Sequence, residues 1–237
     1  TSSTEQVVDQ YQIANYGYFC PTSHPIMVDP TGKHCWIDIP KCASSFIQKV
    51  LSDHGWISYT DPYIIQGFCK AGSVKKFCVL RDPAERWISG FAQTYSDYPD
   101  VLEILDKPGF WNVVLKNPHF DDHTEAMWKF LKHCTRDDPA KSNLEYIYLI
   151  SEKSADWFYK DLAGYLNNIG YPSDYFRHWK DPINPYNNQD GKKAIYLKLK
   201  YMYKHRKDFR ENINSVLHYD YHLLNQYKRY KSDKSTN

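Results

Sequence analysis

Apolar residues fall into short blocks separated by turn-formers, and the blocks alternate between a continuous and a helical pattern. His34-Cys-Trp-Ile-Asp-Ile39 is a nearly unbroken apolar run stopped by Pro40, which predicts a buried strand. From Ala43 to Asp53 the apolar positions 46, 47, 50 and 51 have helical spacing, and Gly55 ends the segment. Trp56 to Tyr59 predicts a second short strand. Lys76-Phe-Cys-Val-Leu80 predicts a third, ending at Arg81-Asp-Pro83. Pro83 suits the first turn of a helix capped by Asp82, with Trp87, Ile88 and Phe91 facing the core. Residues 97–122, broken by Pro99, Pro108, Gly109 and Pro118, predict an irregular insertion. Thr124 to His133 predicts a helix, Glu145 to Ile150 a strand, and about Ser154 to Asn168 an amphipathic helix closed by Gly170 and Pro172. A Pro/Asn-rich loop over 172–191 leads into aromatic and basic residues at helical spacing.

Strands alternating with helices predict an α/β three-layer sandwich, with a central parallel sheet and helices on both faces. The 237 residues suit one domain over 1–237, with 1–33 an irregular N-terminal segment and 228–237 a flexible basic tail. A formal charge of +2 provides no global basic field, so nucleic acid is not an expected partner. The charge is uneven, with twelve Lys and Arg against four Asp and Glu from Lys192 onward, which suits either an anionic ligand or a solvated face. No apolar run approaches the ~18–20 residues of a membrane span, and no secretory leader opens the chain. Six cysteines (20, 35, 42, 69, 78, 134) form no C-x-x-C pair, and there is no N-x-S/T sequon. These features predict a cytoplasmic protein. A first residue other than Met leaves open the lumenal catalytic domain of a trimmed, membrane-anchored enzyme.

Two segments carry the candidate chemistry. Ile39-Pro-Lys-Cys-Ala-Ser-Ser-Phe46 lies between a strand and a helix, where backbone N–H groups and the helix dipole favour an anion. Lys41 adds a point charge, and Ser44 and Ser45 add donors at the first turn. No G-x-x-x-x-G-K-S/T occurs, so this is not a Walker A loop, and Thr31-Gly-Lys33 precedes its strand. An ordinary Ser-capped helix start is the bland reading of the same residues. Arg81-Asp-Pro-Ala-Glu-Arg86-Trp-Ile-Ser89-Gly-Phe91 follows the next strong strand, at the end where open α/β sheets place ligands. Guanidinium plus hydroxyl suits a terminal phosphate monoester. Arg86 reads either as a ligand group or as a structural partner of an acidic neighbour.

Pro40-Lys41-Cys42-Ala43-Ser44-Ser45 resembles the 5′-phosphosulfate loop of sulfotransferases that use PAPS (3′-phosphoadenosine-5′-phosphosulfate). Arg81-Asp-Pro-x-x-Arg86-x-x-Ser89-x-Phe91 resembles their 3′-phosphate motif, in the family's order. The similarity is nearest to the carbohydrate branch of Golgi-type enzymes and their microbial or viral relatives. Weaker echoes occur at Glu145 to Leu149 with Ser151-Glu152, and at Tyr219-Asp220-Tyr221. The resemblance implies a P-loop-like phosphosulfate-binding loop, with Lys41, Cys42, Ala43, Ser44, Ser45, Phe46, Arg81 and Ser89 holding PAPS or the product PAP. It also implies a hydroxyl acceptor, most naturally on a glycan, and no metal. Ala43 stands where Gly is common, which is tolerable only if that position avoids positive φ.

Sulfonate transfer needs a base for the acceptor hydroxyl, and His residues serve near neutral pH. Asn117-Pro-His119-Phe-Asp-Asp-His123-Thr-Glu-Ala-Met-Trp-Lys-Phe130-Leu131 supplies two. His123, followed by Met127 and the pair Phe130-Leu131, best matches the family's spacing, although Met127 and Ala126 replace the usual Gln and Pro. His119, Glu125 and Asp38 are rivals, and Asp121 and Asp122 are placed to orient a histidine. A tyrosyl-protein or small-alcohol sulfotransferase, a nucleotide-dependent phosphotransferase and a non-catalytic PAP- or glycan-binding module are the competing functions.

Overall fold

A computed structural model describes residues 25–98, 100–131, 134, 143–149, 155–172 and 190–232. It has a mixed α/β architecture, with six strands and ten helices among the described residues. Ile26–Val28 (β1) and His34–Ile37 (β2) lead into Ser44–Asp53 (α1) and Ile57–Tyr59 (β3). Pro62–Lys70 (α2) then precedes Lys75–Arg81 (β4). The sheet order is β3-β1-β2-β4, then Leu144–Leu149 (β5) and Lys228–Arg229 (β6). β2, β4, β5 and β6 run parallel, while β1 is antiparallel to both β2 and β3.

The parallel centre agrees with the sequence pattern, and the antiparallel edge differs from it for a local reason. β1 and β2 are joined by Asp29–Lys33, too short for the crossover that parallel strands require. The Asp29 carboxylate accepts the main-chain N–H groups of Lys33 and His34, both at 3.0 Å, and Gly32 sits at φ 70. The irregular reading of residues 1–33 therefore needs correction at Ile26–Val28, whose three side chains are buried. Likewise β6 lies inside the segment read as a flexible basic tail. Runs of three and two residues are too short to show a strand period. Residues 1–24 and 233–237, Ser151-Glu152 and most of the Pro/Asn-rich loop lie outside the described residues.

The described residues group into two compact units. One holds the sheet with α1, α2, Met127–Leu131 (α6) and Ala155–Asn168 (α7). Its core includes Trp36, Phe46, Phe77, Ile147 and Phe158, each almost fully buried. Gly55 (φ 82) closes the turn after α1 with its N–H on the Ser52 carbonyl.

The other unit contains Pro83–Thr94 (α3), Val101–Ile104 (α4), Pro108–Val114 (α5), Asp190–His205 (α8) and Lys207–Val216 (α9). His218–Gln226 (α10) begins in this unit. The insertion read as irregular thus contains two short helices, with Pro108 at the first turn of α5 instead of breaking it. An aromatic cluster of Trp87, Phe91, Tyr95, Phe110, Trp111 and Phe120 forms this core. Lys200 of α8 pairs with Glu85 of α3. No described helix is long and apolar enough to cross a membrane.

Candidate active site

In the sheet unit, the chain leaves β2 and turns into α1 through Asp38 to Ala43. Lys41 (φ 67) and Ala43 (φ 61, ψ 32) both adopt the left-handed conformation. Ala43 is thus at positive φ, the condition under which a Cβ costs most, about 1–2 kcal/mol. Two left-handed residues bracketing Cys42 curl the backbone tightly between β2 and α1, with the Cys42 N–H donating to the Ile39 carbonyl at 3.3 Å. Ala43 provides no side-chain cap, and no acidic residue sits in the first turn of α1. The positive end of the helix dipole is therefore unopposed by its own first turn.

Beneath the loop lies Asp38, only 2% exposed. One carboxylate oxygen accepts from the Ser44 hydroxyl and the other from Gln48 Nε2 at 3.0 Å. Ser44 Oγ also lies 3.1 Å from the Ile39 carbonyl. The Ser44 proton is thus directed into the brace, leaving its main-chain N–H as its contribution to an anion. Ser45 is exposed at the loop mouth, and Phe46 is buried edge-on to Tyr159 at 5.5 Å. With both oxygens engaged, Asp38 is a support for the loop and poorly suited to act as a base.

Arg81 ends β4, is buried, and donates from Nη1 to the Lys41 carbonyl at 3.3 Å. The two motifs, forty positions apart, meet here because parallel pairing of β2 with β4 brings their C-terminal ends together. Tyr221, in α10, donates to Asp82 at 3.1 Å and secures the turn that follows Arg81.

In the helical unit, α3 carries Ser89, which is buried, and organises the loop holding both histidines. Trp87 Nε1 donates to the Pro118 carbonyl at 2.7 Å. Arg86 Nη1 donates to the Glu125 carbonyl at 2.5 Å, and the Thr94 hydroxyl donates to Asp121. Arg86 is thereby tied to the main chain of an acidic residue. Gly90 is the tightest point of this seat. A Cβ there would lie 2.1 Å from the His123 carbonyl oxygen. Sequence reading passed over Gly90, because nothing in its neighbourhood reveals a backbone approaching from residue 123.

Within the loop, the buried Thr124 hydroxyl accepts the Phe120 and Asp121 N–H groups at 3.1 and 3.2 Å. Asp121 Oδ1 in turn accepts the Thr124 N–H at 2.9 Å. His123 projects from this knot with a side chain 36% exposed, its Nδ1 3.3 Å from Asp122 Oδ1 and 3.5 Å from Asp121 Oδ2. Burial pushes the Asp121 carboxyl up. Hydrogen bonds from His123, Thr94 and Thr124, together with the His123 charge, outweigh burial and hold it below the usual carboxylate range.

His119 differs. Its Nδ1 donates to the Thr124 carbonyl at 2.7 Å, and burial lowers its pKa against the opposing pull of that bond, Asp220 and Glu125. Glu125 is buried, with Oε1 accepting the Ala126 N–H at 2.9 Å. The ligand atoms of Asp121, Asp122 and His123 lie within 4.8 Å of one another, so this set is able both to orient an imidazole and to offer donors to a cation.

A family model described as "Sulfotransferase family" matches residues 24–228. The chain belongs to the sulfotransferase family. The match takes in both sequence motifs, the histidine loop and strands β1 to β5, and ends within β6. No curated protein and no solved structure matches the chain significantly. Sulfonyl transfer is the activity of this family, and the loop before α1 and the Arg81 contact are the parts of the chain most directly suited to an anionic donor.

Proposed function

We propose that the chain transfers a sulfonate group from PAPS to a carbohydrate hydroxyl by in-line displacement, with His123 as base. The observation that carries this reading is the contact between Arg81 and the Lys41 carbonyl, because it joins the two anion motifs at one strained loop. Main-chain N–H groups from Ala43 to Phe46 and the Ser45 hydroxyl hold the 5′-phosphosulfate end. Arg81 and Ser89 select the 3′-phosphate, which separates PAPS from adenine nucleotides lacking it.

The acceptor oxygen forms a bond to sulfur as the bond from sulfur to the bridging phosphate oxygen breaks. The acceptor proton passes to His123 Nε2, while the Asp121 and Asp122 carboxylates hold Nδ1. The charge that develops on the departing PAP oxygen is met by the Lys41 ammonium. His123 suits this role better than His119, since a base must meet an incoming acceptor and His119 is buried against Thr124. No step requires a metal. The described cysteines are free, buried thiols, which supports a reducing compartment such as the cytoplasm.

The test is transfer from sulfur-labelled PAPS, in EDTA, to a panel of glycans, tyrosine peptides and small alcohols. Label on a glycan that is lost in His123→Ala supports the reading. Label only on a peptide or small alcohol replaces the acceptor class. PAP binding without transfer to any acceptor would favour a non-catalytic binding module.

A further inference from the structure

Within the helical unit, the loop that carries His123 is fastened to one stripe of α3. Arg86, Gly90 and Thr94 are four residues apart, so they lie on one face of the helix. Each meets the loop at a different residue. Arg86 Nη1 donates to the Glu125 carbonyl, Gly90 faces the His123 carbonyl, and the Thr94 hydroxyl donates to the Asp121 carboxylate. The first two meet main chain. Thr94, the last residue of α3, grips a side chain, and that side chain faces the His123 imidazole.

The two carboxylates beside His123 Nδ1 are not equivalent. Asp122 Oδ1 is nearer, at 3.3 Å, but its side chain is 39% exposed and the imidazole is the one partner it meets among the described residues. Asp121 Oδ2 lies at 3.5 Å, on a side chain only 11% exposed. Asp121 Oδ1 accepts the Thr124 N–H at 2.9 Å and the Thr124 hydroxyl at 3.0 Å, while Oδ2, the oxygen facing His123, accepts from Thr94. The Thr94 proton goes to Asp121 because its alternative, the Gly90 carbonyl at 3.2 Å, is the longer contact. A carboxylate pinned at both oxygens has little rotamer freedom left to lose on meeting the imidazole, whereas Asp122 must give up its own.

We propose that Thr94 is a positioning residue for His123: acting through Asp121, it holds the neutral imidazole with its proton on Nδ1 and Nε2 bare. An ionised carboxylate can only accept, so the nitrogen that faces it must carry the hydrogen. A neutral imidazole has one N–H, and fixing it on Nδ1 makes Nε2 the nitrogen with the free lone pair. Nε2 is the atom that takes the acceptor proton in the proposed transfer. Removing the Thr94 hydroxyl leaves Asp121 Oδ1 held by Thr124 but releases Oδ2. The carboxylate can then turn about its remaining bonds, and the ring loses its fixed partner. The consequence for turnover rests on the reading of His123 as base; the place of the proton on the ring does not.

The full chain is prepared with isotope-labelled histidine, and its rings are observed by long-range proton–nitrogen correlation NMR at about pH 8.5, where an ordinary imidazole is neutral. His123→Ala identifies the His123 signals by their loss. The wild type is expected to show the Nδ1–H tautomer, and Thr94→Val to shift it towards the mixture of a free imidazole. Thr94→Ala takes the place of valine if that variant does not fold. Label transfer from PAPS to the glycan panel should fall about tenfold or more in the same variant, with PAP affinity within about threefold of wild type. Thr94→Ser, which keeps the hydroxyl, should return both readouts towards wild type. A wild-type ring protonated on Nε2, or a tautomer unchanged by loss of the Thr94 hydroxyl, overturns the proposal. A shifted tautomer with undiminished transfer supports the positioning and removes the base assignment instead.

Discussion

Gly90→Ala separates two opposing effects by sign. Gly90 lies inside α3, where Ala is normally favoured over Gly by about 1 kcal/mol. The added Cβ would, however, lie 2.1 Å from the His123 carbonyl oxygen and 2.7 Å from its carbon, and both are backbone atoms. A tolerable contact begins near 3.0–3.4 Å, so the loop must retreat by roughly 1 Å. Overpacking of this kind costs about 1–3 kcal/mol, which cancels or exceeds the helix gain. A 1 Å displacement of a catalytic group lowers turnover by about a hundredfold. The assay is kcat for transfer from PAPS, with PAP affinity as the control for the donor loop. We expect kcat to fall by about a hundredfold with PAP affinity changed by less than about threefold. A variant with a raised Tm and wild-type kcat would refute the seating of the histidine loop on α3.

Three further outcomes follow from particular residues. Ala43→Gly relieves a left-handed alanine at about 1–2 kcal/mol but adds about 0.5–1 kcal/mol of unfolded-state entropy, so Tm should rise by roughly 1–3 °C in a thermal melt; a lower Tm contradicts the assigned backbone. On the proposed role of its ammonium in meeting charge on the leaving oxygen, Lys41→Ala should lower kcat by roughly a hundredfold or more, and wild-type kinetics would remove that role. Burial depresses the His119 pKa, so the unfolded chain binds its proton first. The contribution of His119 is present above the ordinary value of about 6.5 and is lost as pH falls through the folded value. Urea melts at pH 7 and pH 5 should show a stability loss that is smaller in His119→Gln; an equal loss in both proteins would place the linkage elsewhere.

What the sequence disclosed followed the length scale of each feature. β2, β4 and β5 were legible because each buries a run of apolar residues long enough to read. β1 and β6 were not, because three apolar residues between Pro25 and Pro30, and two basic residues near the C-terminus, show no strand pattern, and β6 pairs with residues more than eighty positions away. The predicted helix over 124–133 begins only at Met127, since Asp121 and Thr124 divert preceding N–H groups into side-chain bonds, and residues 132–133 lie outside the described residues. At the site, Lys41 and Arg81 were visible as motifs following strands. Their meeting, the bracing of Ser44 by Asp38 and the clearance at Gly90 needed coordinates, because each depends on residues at least six positions apart.

The central claim is that the loop before α1, together with Arg81, binds a 3′-phosphorylated adenine nucleotide. Calorimetry in EDTA with PAP, AMP and ATP, repeated for ATP with magnesium and for Arg81→Ala with PAP, tests it most directly. The account predicts that PAP binds without metal, that AMP binds at least tenfold more weakly, and that Arg81→Ala loses most of the difference. Preferential binding of ATP with magnesium, or PAP and AMP binding equally well, would contradict it.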